Sequence, residues 1–166
     1  MIGFLRGVVL ETAENKLTLL VGGVGYQVSV SGGPEAASLA VGSELDLYIH
    51  THVREDALDL YGFFTRQEKT VFLMLLGVNG IGPKGALAIL GGLSVTSLVE
   101  AILSGDKEAL QRIPGVGKKT AERVVLELGD VLKKRTDLAP AAGPTSATAT
   151  ESRAVLDARI ALVQLG

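Results

Sequence analysis

The chain repeats itself. Val78-Asn-Gly-Ile-Gly-Pro-Lys-Gly-Ala-Leu-Ala-Ile-Leu90 aligns with Ile113-Pro-Gly-Val-Gly-Lys-Lys-Thr-Ala-Glu-Arg-Val-Val125 at a constant offset of 35 residues. Gly80 matches Gly115, Gly82 matches Gly117, Lys84 matches Lys119 and Ala86 matches Ala121. Each copy reads as a tight glycine turn that delivers the backbone into an amphipathic helix. In the second copy Ala121, Val124, Val125 and Leu128 recur at helical spacing and can face a core. Glycine lacks a Cβ, so these turns can take dihedrals closed to other residues and let a ligand approach the backbone. The first turn of a helix has unpaired N–H groups, and here it carries Lys118 and Lys119. That combination is an anion site, with phosphate the natural anion. Arg123 lies four residues beyond Lys119 and extends the positive face. Two ordinary turns in an all-helical domain would explain the glycines but not the matched lysines.

The paired pattern resembles a tandem helix-hairpin-helix unit, a module that grips DNA backbone without reading bases. Net charge is −2, which looks wrong for such a role until it is divided along the chain. Residues 1–64 hold three Lys/Arg against eight Asp/Glu, residues 65–136 eleven against seven, and residues 137–166 two against three. The basic excess therefore sits with the two hairpins, and local charge is what attracts a polyanion. There is no cysteine, which excludes disulfides and thiolate metal sites and suits a reducing compartment. No signal peptide is visible, and the longest apolar run, Val71 to Leu76, is far too short to span a bilayer.

Residues 1–62 read as β-structure: Ile2 to Leu10, Lys16 to Val21, Val24 to Val30, Glu44 to Thr51 and Ala57 to Tyr61 are short runs rich in Val, Leu and Tyr. Asn15, Gly22-Gly23 and Gly32-Gly33-Pro34 punctuate them. Tyr26, Val28 and Val30 alternate with Gln27 and Ser29, as on a strand with one buried face. Five short strands suggest a small OB-type barrel, with an unspecific β-domain as the plainer alternative. His50 and His52 share a strand face, but no third ligand is well placed for a metal, so they read as ordinary strand-end histidines. Glu55 and Asp56 read as a hairpin tip, either solvated charge or a device that repels phosphate.

Residues 65–136 read as helical. Thr65 with Glu68 forms a capping-box pattern ahead of the Val71–Leu76 run. Ser97 to Leu103 reads as a helix closed by Ser104-Gly105, and Asp106 as the cap of Lys107 to Arg112. The second hairpin helix reaches toward Lys134, with Lys133, Lys134 and Arg135 favourable to its negative end. Residues 137–150, rich in Pro, Ala and Thr, read as a linker, and Glu151 to Val163 as a further helix. Two other patterns fail on context. The run Gly80 to Gly85 matches a dinucleotide-binding glycine pattern but follows a helix rather than a strand. Gly117-Lys118 resembles the end of an ATPase phosphate loop, yet Arg112 stands where that loop needs glycine and Lys119 where it needs Ser or Thr.

Several longer motifs add a family resemblance: Met1-Ile-Gly-Phe-Leu-Arg-Gly7, Gly25-Tyr26, His52-Val-Arg-Glu-Asp-Ala57, Leu60-Tyr-Gly-Phe63 and the two hairpins. Over residues 1 to about 136 the chain resembles the RuvA family, which binds Holliday junctions for bacterial branch migration. The resemblance implies a multidomain α+β protein. Residues 1–64 would form an OB-like β-barrel that also tetramerises, residues 65–136 a tandem helix-hairpin-helix all-α domain, and 137–150 a flexible linker. Residues 151–166 would open a C-terminal motor-binding domain that is truncated here, leaving motor coupling impaired.

It further implies sequence-independent binding of four-way junctions, held open and planar by a homotetramer that can double into an octamer. The implied partners are a hexameric RuvB-type ATPase and a RuvC-type resolvase, in the bacterial cytoplasm, with no membrane, cofactor or metal. The chain itself would be non-catalytic. Backbone contacts would come from Gly80, Gly82, Lys84, Gly115, Gly117, Lys118, Lys119 and Arg123. Glu55 and Asp56 would be the acidic pin at the junction centre. Two rivals stand beside this reading: a Mg²⁺-dependent nuclease using the paired acids, and a protein-docking scaffold whose DNA contact is incidental.

Overall fold

The computed structural model describes residues 1–134; the linker expected at 137–150 and the helix expected at 151–163 lie outside the described residues. Five strands, β1 (Phe4–Ala13), β2 (Lys16–Val21), β3 (Val24–Val30), β4 (Glu44–Val53) and β5 (Leu58–Phe63), close into a barrel in the order β1-β2-β3-β5-β4. All neighbours are antiparallel except β3 and β5, which close the barrel in parallel through Ser29–Tyr61 and Val30–Gly62. The alternation along β3 is realised: Val28 and Val30 are buried, while Gln27 is exposed. The two valines join Leu5, Val9, Leu17, Leu19, Leu47, Ile49 and Leu60 in the barrel core. Each such side chain contributes about 1.5–3 kcal/mol when fully buried. The first strand runs on to Ala13, with an irregularity between Val9 and Glu11 that re-aims it toward β2. A single helical turn, α1 (Pro34–Ala37), bridges β3 and β4.

Among the described residues five helices follow: α2 (Arg66–Leu76), α3 (Pro83–Gly92), α4 (Val95–Ser104), α5 (Lys107–Gln111) and α6 (Lys118–Lys133). The first hairpin turn joins α2 to α3, and the second joins α5 to α6. Thr65 caps α2 by accepting from the Glu68 N–H at 3.1 Å. The Glu68 carboxylate in turn accepts from the Phe64 N–H at 3.0 Å, one residue earlier than a strict capping box. Burial raises the Glu68 pKa, while the hydrogen bonds from Phe64 and Thr65 oppose that rise. Asp106 caps α5 through the Ala109 N–H, as its sequence position foretold. Gly105 closes α4 in the left-handed conformation.

Barrel and helices have separate cores, and the end of β5 reaches from the first into the second. Tyr61 and Phe63 at the end of β5 pack with Phe72 of α2, ring centroids 5.4 and 4.7 Å apart, and so belong to the helical cluster. His50 and His52 lie near the end of β4, as expected, with their rings 6.3 Å apart and both facing Tyr61. Burial, then the nearby charges of His52 and Lys69, lowers the His50 pKa. A second seam is backbone on backbone, since a Cβ at Gly91 would lie 2.7 Å from the Gly32 carbonyl oxygen. Only glycine lets α3 approach the barrel this closely. Among the described residues no single helix is long and apolar enough to cross a membrane; the apolar pair α3 and α4 is bent by 98° and contributes to the helical core.

Candidate nucleic-acid interface

The offset repeat holds at the level of individual hydrogen bonds. In the first turn the Val78 N–H donates to Leu75 O, and the Ile81 N–H to Val78 O. In the second, Ile113 donates to Leu110 O and Val116 to Ile113 O. The third residue of each turn has positive φ, +89° at Gly80 and +85° at Gly115. That is the geometry of a type II turn, which requires glycine there and favours proline just before it, as at Pro114. Matched apolar pairs are buried together: Val78 with Ile113, Ile81 with Val116, Ala86 with Ala121, and Ile89 with Val124. Burying one side of each turn leaves its glycine tip exposed.

The helices that follow begin without a side-chain cap. Gly82 and Gly117 are the capping residues, and the first helical bonds come from the Ala86 N–H to Gly82 O and the Ala121 N–H to Gly117 O. The preceding N–H groups of each first turn therefore have no helical partner. The second hairpin leaves four: Gly117, Lys118, Lys119 and Thr120. The first leaves three, Gly82, Lys84 and Gly85, because Pro83 has no N–H. The contrast with α2, α4 and α5 is informative. Those three carry side-chain caps, from Thr65, Ser94 and Asp106, and α2 and α5 place an acid in the first turn. Neither hairpin helix has an acid in its first turn. Both leave their positive dipole ends open to an external anion.

Lys84, Lys118 and Lys119 are exposed, and none pairs with a carboxylate among the described residues. Arg123 behaves differently. It is also exposed, but its guanidinium Nη1 donates to the Asn79 carbonyl at 2.9 Å, tying α6 to the first turn. Sequence reasoning missed this link, which spans 44 residues of chain.

Glu55 and Asp56 stand exposed at the tip of the β4–β5 hairpin, closed by the Arg54 N–H donating to Ala57 O at 2.8 Å. At its base Arg54 bridges Asp59 at 2.7 Å, a hydrogen-bonded contact that raises the arginine pKa. A groove of ≈ 660 Å³ runs from this base to the hairpins, lined by Lys16, Arg54, Asp59 and Tyr61 on the barrel side and Lys84 and Pro114 on the other. Among the described residues no cluster of three or more His, Asp or Glu side chains is arranged to hold a metal ion.

Comparison with known proteins agrees with this geometry. Residues 1–62 match the RuvA N terminal domain, and residues 72–130 match the SAM-like Helix-hairpin-helix tandem. The Holliday junction branch migration complex subunit RuvA of Solibacter usitatus is 45% identical over 162 residues, covering 98% of this chain and 82% of that protein. The chain belongs to the RuvA family. The RuvA subunit of Acidobacterium capsulatum is also 45% identical, and that of Chlorobaculum parvum 41%, each aligned over 100% of this chain and 82% of the relative. The RuvA N terminal match ends at Gly62, one residue short of the end of β5, and the helix-hairpin-helix match spans both glycine turns.

Proposed function

We propose that this chain is a non-catalytic DNA-binding subunit that recognises four-way junctions by their structure and delivers them to a branch-migration motor. The observation that carries the reading is the pair of uncapped, acid-free helix N-termini behind matched glycine turns. Phosphates bind at the amides around Gly80, Gly82, Gly115 and Gly117, with Lys84, Lys118 and Lys119 adding charge. These are backbone contacts, so they position DNA without reading its sequence. Junction preference comes from assembly. Four copies in a homotetramer present eight hairpins to four arms, and octamers form when two tetramers enclose one junction. A RuvB-type hexameric ATPase and a RuvC-type resolvase act on the same complex in the bacterial cytoplasm.

Glu55 and Asp56 act as the acidic pin. Gathered at the centre of a tetramer, these exposed carboxylates repel the phosphates of strands that fail to diverge. Such repulsion lowers affinity overall but penalises linear duplex more than an open junction. Equilibrium binding to a four-way junction and to linear duplex, at one salt concentration, tests the reading. The junction binds more tightly, and the double variant Glu55→Gln/Asp56→Asn tightens duplex binding more than junction binding, so the preference shrinks by several-fold. Equal affinities for the two DNAs in the natural protein would refute junction specificity. An unchanged ratio in the variant would return the pair to plain surface charge. Cleavage of the junction in Mg²⁺ by the pure protein would favour the nuclease.

A further inference from the structure

We propose that Arg123 is a positioning residue: it latches the Asn79–Gly80 peptide in the orientation that turns the Gly80 N–H outward. The inference rests on the reading that the hairpins hold phosphate. In the first turn the Asn79–Gly80 peptide is the central one, and type I and type II turns differ by a flip of this unit. With Gly80 at φ +89° the unit is in the type II orientation. Asn79 precedes glycine but is not proline, so its own ring-free backbone does little to hold that state. The Arg123 guanidinium donates to the carbonyl of this same peptide at 2.9 Å. Because a trans peptide points its N–H and C=O in opposite directions, fixing the Asn79 oxygen toward α6 directs the Gly80 N–H away from it.

The side chain also lies along the turn, with Nη1 only 3.2 Å from where a Gly80 Cβ would sit. The second hairpin is stabilised differently. At the offset of 35 the match for Arg123 is Ala88, whose methyl group cannot reach across. The match for Asn79 is Pro114, and a Pro-Gly pair favours the type II turn by itself. Ala88 and Pro114 both line the groove beside the barrel, so the place where a second latch would lie is open space. One turn is stiffened by its own proline and the other by an arginine supplied from the opposite hairpin.

The full chain tests this with Arg123→Ala and with Arg123→Ala/Asn79→Pro, which copies the Pro-Gly of the second turn into the first. NMR of the DNA-free protein follows the Gly80 amide, and salt titrations follow junction binding. The latch predicts that Arg123→Ala introduces exchange broadening or a large shift at the Gly80 amide before any DNA is added. Junction binding weakens roughly tenfold with an unchanged salt slope, and Asn79→Pro restores both signals. A salt slope lower by about one unit, with no rescue by proline, would make Arg123 a phosphate contact and overturn the latch. An unperturbed Gly80 amide in Arg123→Ala would overturn it as well. The amide readout needs no DNA, so it stands or falls separately from the phosphate reading, which the lysines test.

Discussion

The two hairpins share one design and divide its labour. The second leaves four amides without a helical partner and two unpaired lysines at the start of the longer helix, Lys118–Lys133. The first leaves three amides without a helical partner and one unpaired lysine, and its shorter helix is seated on the barrel where Gly91 meets Gly32. The second therefore offers an anion more donors and more charge, and the first is the better anchored. Duplicated modules need not contribute equally: a repeat fixes the backbone geometry, and single differences such as Pro83 in place of Lys118 redistribute the energetics.

The largest effect is expected at the second hairpin. Gly115→Val places a β-branched side chain at φ +85°. Left-handed backbone costs an ordinary residue about 1–2 kcal/mol, and more for a branched one. Junction affinity should fall on the order of a hundredfold, well beyond the effect of Lys119→Ala. Circular dichroism and binding measured on one sample check this. Native spectra with native affinity would show that the turn neither needs glycine nor touches DNA.

A smaller change isolates one amide. Lys118→Ala removes only the charge, whereas Lys118→Pro removes the charge and the N–H, making the second hairpin resemble the first at Pro83. Proline is tolerated at the first position of a helix. The proline variant should therefore fold, and bind roughly three- to tenfold more weakly than the alanine variant. Equal affinities in fluorescence anisotropy would mean that the Lys118 amide does not meet phosphate.

The smallest effect concerns stability. Gly80→Ala and Gly115→Ala impose similar backbone strain, at φ +89° and +85°. At Gly80 the new methyl also crowds Arg123 at 3.2 Å, whereas at Gly115 no atom lies within 4 Å. Gly80→Ala should be the more destabilising in urea denaturation by roughly 0.5 kcal/mol, within the usual range for a mild steric penalty. The reverse order would show that the Arg123 contact is slack.

Much of this was legible in the residues because it is local. The hairpin repeat, the Thr65 and Asp106 caps and the alternation along Val24–Val30 each depend on neighbours within a few positions. What escaped the sequence depends on residues far apart in the chain. The parallel closure of β3 on β5 joins Val30 to Gly62. The ring contacts of the two strand-end histidines escaped because their partner Tyr61 lies on another strand, and Phe72, which packs against His50, lies on a helix. The Arg123 link to Asn79 escaped because its acceptor is a backbone carbonyl, and every residue has one of those. The sequence signal that could have found the latch was the asymmetry of the repeat: arginine opposite Ala88, and asparagine opposite Pro114.

The central claim is that these turns hold phosphates, the second more strongly than the first. The most direct test is the slope of log affinity against log salt concentration for junction binding by the natural chain, by Lys84→Ala, and by Lys118→Ala/Lys119→Ala. Removing one lysine–phosphate interaction makes that slope shallower by about 0.9. The predicted decrease is about 0.9 for Lys84→Ala and about 1.8 for the double variant. The folded state should persist, because all three side chains are exposed. Slopes indistinguishable from that of the natural protein in both variants would contradict the claim.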